Sequence, residues 1–172
     1  MSQLIAAIAT PPGTGGVGIL RLSGPGAREA ASAVFRPLGP TPLAEAPDRQ
    51  LLYGKLLDGS GQVLDSALAF VSRAPRSYTG EDTAELHCHG SPMVLSLALE
   101  ALYAAGARAA QPGEFTQRAF LNGKLDLTQA EAVMDLIDAE TAAAARAAAR
   151  QLEGALSRRI GAIYDGLVDL SA

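Results

Sequence analysis

The stretch Ser77-Tyr-Thr-Gly-Glu-Asp-Thr-Ala-Glu-Leu-His-Cys-His-Gly90 decides how the rest of the chain is read. It opens as a polar turn through Ser77, Thr79, Gly80 and Asp82, then runs into strict alternation. Strand side chains point to opposite faces in turn. Ala84, Leu86 and Cys88 are therefore expected to pack, with Thr83, Glu85, His87 and His89 on the other face. At roughly 3.3 Å rise per residue, a carboxylate and two imidazoles stand in a row, each about 7 Å from the next. Gly90-Ser-Pro92 ends the strand and opens a helix. A polar strand face leading into a helix start is a setting in which α/β and α+β domains hold ligands.

Upstream, Leu4 to Ala9 reads as a first strand and Val17 to Leu22 as a second, joined by a glycine-rich connection. Gly13, Gly15 and Gly18 satisfy G-x-G-x-x-G, but a dinucleotide loop needs a helix directly after the glycines. Ile19-Leu-Arg-Leu22 has a strand pattern instead, so a strand-to-strand connection is expected, its bare backbone open to a close ligand or partner. Arg21 is a lone charge in that second strand, read either as a solvated face or as part of a site. A helix is expected from about Ala27 to Phe35, with Pro25 in its first turn. Pro37 to Asp48 reads as a proline-rich surface loop. Gln50 to Leu57 and Val63 to Val71 read as a hairpin about Asp58-Gly-Ser-Gly61. Arg73 and Arg76 precede the Ser77 turn, exposed or free to meet an anionic ligand tail.

Downstream, Pro92 to Ala105 reads as an apolar helix capped at Ser91 and stopped by Gly106, followed by a short strand over 107–110. Pro112 to Gly123 holds a short helix and Lys124-Leu-Asp126 a linker. Thr128-x-x-Glu131 reads as a capping box, with Leu127 as its staple. From residue 128 to 172 the chain is alanine-rich without strand signal. Leu152, Leu156, Ile160, Ile163, Leu167 and Leu170 form one helical stripe opposite Glu153, Arg158, Arg159, Asp165 and Asp169. Such an arm needs a partner to bury its stripe, either more chain or a second subunit, and the sequence reads as cut short. The fold class is thus α+β: a mixed sheet with packed helices over residues 1–124, then an all-α arm over 125–172.

Composition narrows the function classes. With 172 residues, a net charge of −4 and 48% hydrophobic content, the chain suits one cored domain with an appendage. It lacks the clustered Lys and Arg of a strong nucleic-acid binder; Arg146 and Arg150 read as a solvated helix face rather than an RNA contact. No run reaches the roughly 18 apolar residues of a membrane span. The N-terminus has no secretory pattern, and the single cysteine fits a reducing cytosol. No Walker A sequence or Gly-x-Ser-x-Gly elbow is present, and Cys88 reads as a packed thiol. Three readings of the Glu85, His87 and His89 face stay open: a metal site, a polar strand face, or an organic ligand bound through Glu85.

Three ordered blocks carry a resemblance over most of residues 5 to 140. They are Ala9-Thr-Pro-Pro-Gly-Thr-Gly-Gly-Val-Gly-Ile-Leu-Arg-Leu-Ser-Gly24; Tyr78 to Asp82 with Glu85-Leu86 and His89-Gly90; and Pro112 to Phe115, Arg118 to Asn122 and Lys124 to Ala132. Together they resemble the N-terminal region of the MnmE (TrmE) tRNA-modification GTPases. That resemblance implies an aminomethyltransferase-like domain that binds a tetrahydrofolate derivative, 5-formyl- or 5,10-methylene-tetrahydrofolate, and forms a homodimer. It implies a cytoplasmic protein that works with the FAD protein MnmG on tRNA, adding a carboxymethylaminomethyl or aminomethyl group to the wobble uridine. The family's folate contacts fall on Arg21, Glu85 and Lys124, with no catalytic residue and no metal ligand assigned in this stretch. A pterin edge offers neighbouring N–H donors that Glu85 can accept, and Arg21 and Lys124 suit a glutamyl tail or a carbonyl acceptor. The family's GTP-binding domain, which handles GTP, Mg and K, and its C-terminal motif with a cysteine and a lysine have no counterpart here. Residues 128–172 are then the first part of a helical domain, with no GTP hydrolysis expected of this chain alone. The alternatives are a small metal-dependent enzyme using Glu85, His87 and His89, and a dimerisation module without folate binding.

Overall fold

A computed structural model describes residues 2–155, 157, 158 and 160. The chain separates into two compact units, one up to Phe115 and one from Thr116 onward, so the division falls inside a helix. The first unit is built on a seven-stranded sheet. Its strands are β1 (Ile5–Ile8), β2 (Gly15–Ser23), β3 (Phe35–Pro37), β4 (Leu52–Leu57), β5 (Val63–Ser72), β6 (Thr83–Gly90) and β7 (Arg108–Ala109). Their order across the sheet is β3-β4-β5-β6-β2-β1-β7, antiparallel at every junction except the parallel pair β1 and β7. The sheet is therefore mixed, as expected for an α+β domain.

The glycine run settles as a hairpin. β1 returns as β2 with Ile8 opposite Leu20, and the Ala9 N–H donates to the Ile19 carbonyl at 2.7 Å. Strand, not helix, follows Gly18, so no helix N-terminus is available there for a pyrophosphate. Two other glycines answer to space. A Cβ on Gly90 would lie 2.7 Å from the Gly15 carbonyl oxygen, and one on Gly18 would lie 2.7 Å from the Leu95 side chain. The end of β6 can lie against the backbone at the start of β2 because Gly90 carries no side chain, and Leu95 of α2 uses the space left bare at Gly18.

One face of the sheet is covered by α1 (Ala27–Val34) and α2 (Pro92–Ala104). Leu20, Leu22, Ala69, Val71, Ala84 and Leu86 from the strands meet Ala27, Ala31 and Val34 of α1 and Leu95, Ala98 and Leu102 of α2. The small alanines of α1 let that helix sit close. Cys88 joins the same core, so the alternation of β6 runs as expected for Ala84, Leu86 and Cys88. Thr83 differs. It is 8% exposed and sits in register between Ser23 and Ser72, both also buried. The turn from Ser77 to Asp82 covers this end of the second face, with Thr79 fully buried and its hydroxyl 2.7 Å from Ser23 Oγ.

The proline-rich segment after β3 is not a plain surface loop. A 3-10 turn (Leu43–Glu45) places Leu43 and Ala46 at 0% exposure. Backbone taken out of water must keep its hydrogen bonds. Ser32 Oγ accepts from the Ala44 N–H at 2.8 Å, and the Arg73 guanidinium donates to the Ala46 and Ala44 carbonyls at 2.8 and 3.2 Å. Arg28 donates to Ala44 as well and pairs with Asp82 at 2.9 Å. Arg73 therefore serves the fold, whereas Arg76 is 69% exposed beside Asp48 at 3.4 Å.

Helix α3 (Glu114–Leu121) leads into the second unit, which contains α4 (Leu127–Ile137) and α5 (Ala142–Leu152). The capping box of α4 is formed by Asp126 and Gln129, two residues before the expected Thr128 and Glu131. Asp126 can accept from the Gln129 N–H and the Thr128 hydroxyl together, at 2.9 and 2.8 Å, so the carboxylate takes the cap. Gln129 Nε2 donates to the Leu152 carbonyl and Gln151 Nε2 to the Thr128 carbonyl, which sets the start of α4 against the end of α5. α5 ends at Leu152, with Gly154 at φ +79°. The expected stripe from Leu152 is therefore interrupted after its first member; Leu156, Ile163, Leu167, Leu170, Arg159, Asp165 and Asp169 lie outside the described residues. Among the described residues, no helix is long and apolar enough to cross a membrane.

Candidate functional site

The uncovered face of the first unit holds the site. Arg21 on β2, Glu85 on β6 and Phe70 on β5 occupy one row of the sheet, paired in register Arg21 to Glu85 and Glu85 to Phe70. The next row is Ile19, His87, Leu68 and Tyr53. Arg21 points this way because its neighbours Leu20 and Leu22 fill the core, and period-two alternation leaves it no other direction.

Arg21 Nε donates to Glu85 Oε1 at 2.8 Å, with the two side chains 33% and 17% exposed. The guanidinium carbon also lies 5.7 Å from the centre of the Tyr78 ring and 5.8 Å from that of Phe115. A cation within about 6 Å of a ring face gains cation–π attraction. The Ser77 turn, pinned down by Thr79, thus delivers Tyr78 to the site. The second carboxylate oxygen of Glu85 sits 2.9 Å from His87 Nε2, and the His87 ring meets Phe70 edge-on at 5.8 Å. The site is a half-buried carboxylate held at both oxygens, a cation beneath aromatic rings, and one side open to solvent.

His89 takes no part in it. Its Nδ1 lies 2.9 Å from both Asp65 oxygens, and its N–H donates to Asp65 Oδ2 at 2.8 Å. Burial works to raise the Asp65 carboxyl pKa, but these bonds and the Ser66 N–H outweigh it and hold the pKa below the usual range. Glu85, His87 and His89 therefore split between two separate pairings rather than converging. Among the described residues, no group of three His, Cys, Asp or Glu could hold a metal ion. Cys88 lies on the buried side, where desolvation, helped by the Asp65 charge, pushes its thiol up to about 11.

The structure brings Arg21 and Glu85 together. Lys124 belongs to the second unit, exposed just after α3, its N–H donating to the Ala119 carbonyl at 2.8 Å past Gly123 at φ +69°. Arg146 and Arg150 on α5 are exposed. From sequence, His87 is named only as a metal ligand in one alternative, and Phe70 and Phe115 have no assignment. His87 was visible as an i+2 neighbour of Glu85 on one strand face, although nothing marked it as a carboxylate partner. Phe115 reaches Arg21 through a long-range contact that no local pattern announces.

An α+β sheet domain with an ion-paired, aromatic-rimmed site, continued by a capped pair of helices, defines the class. The family model for the N-terminus of GTP-binding protein TrmE matches residues 4–124, and that for the MnmE helical domain matches residues 127–172. The chain is 49% identical, over its whole length, to the tRNA modification GTPase MnmE of Carboxydothermus hydrogenoformans. It is 53% identical to that of Thermus thermophilus over 98% of the chain, and 53% identical to that of Chromohalobacter salexigens over 96%. The chain belongs to the MnmE (TrmE) family of tRNA modification GTPases. It spans 38%, 38% and 35% of the length of these three curated relatives, little more than a third.

Proposed function

We propose that this chain is the folate-binding and dimerising part of a tRNA-modifying protein, with Arg21, Glu85 and Lys124 as its contacts to a tetrahydrofolate derivative. The Arg21 and Glu85 pair carries the reading. A carboxylate 17% exposed, with a lone pair to spare on each oxygen, fits two adjacent N–H donors of a pterin edge. Tyr78 and Phe115 supply aromatic surface beside it. When bound, the folate would supply a one-carbon unit. The residues present bind and orient it, Glu85 taking the pterin edge, Arg21 and Lys124 its carbonyl or glutamyl groups.

In this reading the domain boundary lies at Lys124 and Leu125, and the first domain forms a homodimer. The protein acts in the cytoplasm with MnmG to place an aminomethyl or carboxymethylaminomethyl group on the wobble uridine of tRNA. GTP, Mg and K belong to the GTP-binding domain of the family's longer chains. The rival metal enzyme is disfavoured by the separate pairing of His89 with Asp65.

Calorimetric titration with 5-formyltetrahydrofolate, after metal is stripped, tests the proposal. Saturable binding near one ligand per chain, lost in Arg21→Ala, is expected. No binding by a folded, dimeric chain would sink the folate site and leave a dimerisation module.

A further inference from the structure

Resting on that reading of Glu85, we propose that His87 is a positioning residue that fixes the Glu85 carboxylate for a ligand edge with two adjacent N–H donors. Glu85 is held at each end, by Arg21 Nε on Oε1 at 2.8 Å and by His87 Nε2 on Oε2 at 2.9 Å. A carboxylate offers about four lone-pair sites. One contact on each oxygen leaves one free on each, the arrangement that two parallel N–H donors require. With a single anchor the carboxylate could swivel, and a ligand would bear the cost of ordering it; with two, that ordering is already in place.

The His87 ring is itself fixed. Phe70, the cross-strand partner of Glu85, meets it edge-on at an interplanar angle of 73°. A carboxylate only accepts hydrogen bonds, so in this contact Nε2–H is the donor to Oε2. On the flanking positions of the strands, His89 is paired with Asp65, and Lys55 donates to Ser66 Oγ at 2.8 Å.

A space-filling role against Phe70 and a hydrogen-bonding role toward Glu85 predict opposite rescues. Calorimetry with 5-formyltetrahydrofolate and with pterin alone would compare the wild-type chain with His87→Ala, His87→Gln and His87→Phe. Loss of preorganisation in His87→Ala should weaken both ligands about tenfold, with His87→Gln within about threefold of wild type because its amide can donate to the same oxygen. His87→Phe should stay with alanine. Rescue by phenylalanine and not by glutamine, or equal affinity in all four proteins, would overturn the proposal.

Proton NMR of the free protein gives a readout that needs no ligand. A His87 Nε2–H held against Glu85 Oε2 should give a ring N–H signal protected from solvent exchange in the wild type, and Glu85→Ala should lose it. An equally protected signal in Glu85→Ala, or none in the wild type, would overturn the contact. Failure of the wild type to bind either ligand, with the protected signal present, would sink the folate reading instead and the positioning role with it.

Discussion

Arg21 and Glu85 stand directly opposite each other on adjacent antiparallel strands, joined at 2.8 Å on the face that the helices leave uncovered. A cross-strand ion pair of this exposure stabilises a sheet by about 0.2–1 kcal/mol. The pair is therefore expected to matter more for binding than for folding. Glu85→Gln and Arg21→Ala should each weaken 5-formyltetrahydrofolate about tenfold or more while leaving urea midpoints close to wild type. Midpoints that collapse along with affinity would mark the pair as structural.

If, as proposed, Lys124 meets the ligand's anionic or carbonyl groups, its loss should discriminate between ligands. Lys124→Ala is expected to weaken a tetrahydrofolate with its glutamyl tail more than pterin alone. Competition binding with the two ligands checks this. Equal losses on both would remove Lys124 from the tail.

Leu86 alternates with Glu85 and His87 but faces the core at 0% exposure. Leu86→Ala should cost about 2–5 kcal/mol through lost burial and a residual cavity. Urea unfolding of this variant beside His87→Gln separates the two faces of one strand: the first should shift the midpoint strongly and the second little.

Cys88 is a thiol pushed up to about 11, chiefly by burial and then by the Asp65 charge. Only the thiolate is alkylated. At pH 8, iodoacetamide should label the native chain at least ~100-fold more slowly than the same chain in denaturant, where the thiol returns to its ordinary range. Mass spectrometry of timed reactions measures the ratio, and rapid native labelling would contradict the burial.

Asp126 caps α4, and the Ser157 hydroxyl, the Gln129 N–H and the Thr128 hydroxyl hold its carboxyl below the usual range. A carboxyl lowered in the folded state contributes stability above its unfolded value, near ~4, and loses it as pH falls through the folded value. Acid unfolding of the second unit should therefore be less steep below that point in Asp126→Asn. Asp126→Ala should cost about 1 kcal/mol near neutral pH through loss of the cap. Circular dichroism against pH measures both.

Alternation made β6 legible, because a period of two over eight residues leaves one register that buries Ala84, Leu86 and Cys88. The β4–β5 hairpin was legible for a similar reason, its turn glycines lying between two apolar runs. What stayed hidden depended on distant partners. Prolines suggested a surface at 37–48, yet Arg28, Ser32 and Arg73 satisfy that backbone and let Leu43 sink. The four-residue spacing from Leu152 to Leu156 suggested one helix through Gly154, but the left-handed glycine ends it. In the site, the pattern placed Glu85 on the proper face. That Arg21 would lie across from it depended on which strands became neighbours, a matter of topology that periodicity does not carry.

The strand order gives the sheet two very short borders. β3 contributes three residues on one side, ending in Pro37, which has no N–H to offer, and with Arg36 exposed between. β7 contributes two residues on the other, with the Arg108 guanidinium tied to Glu114 at 2.6 Å. A newcomer strand finds too few open rungs at either border, and charge beside them. The long, hydrogen-bond-hungry strands are all interior. The ends of the sheet are thereby poor places for a second sheet to add on, the step from which fibrils start.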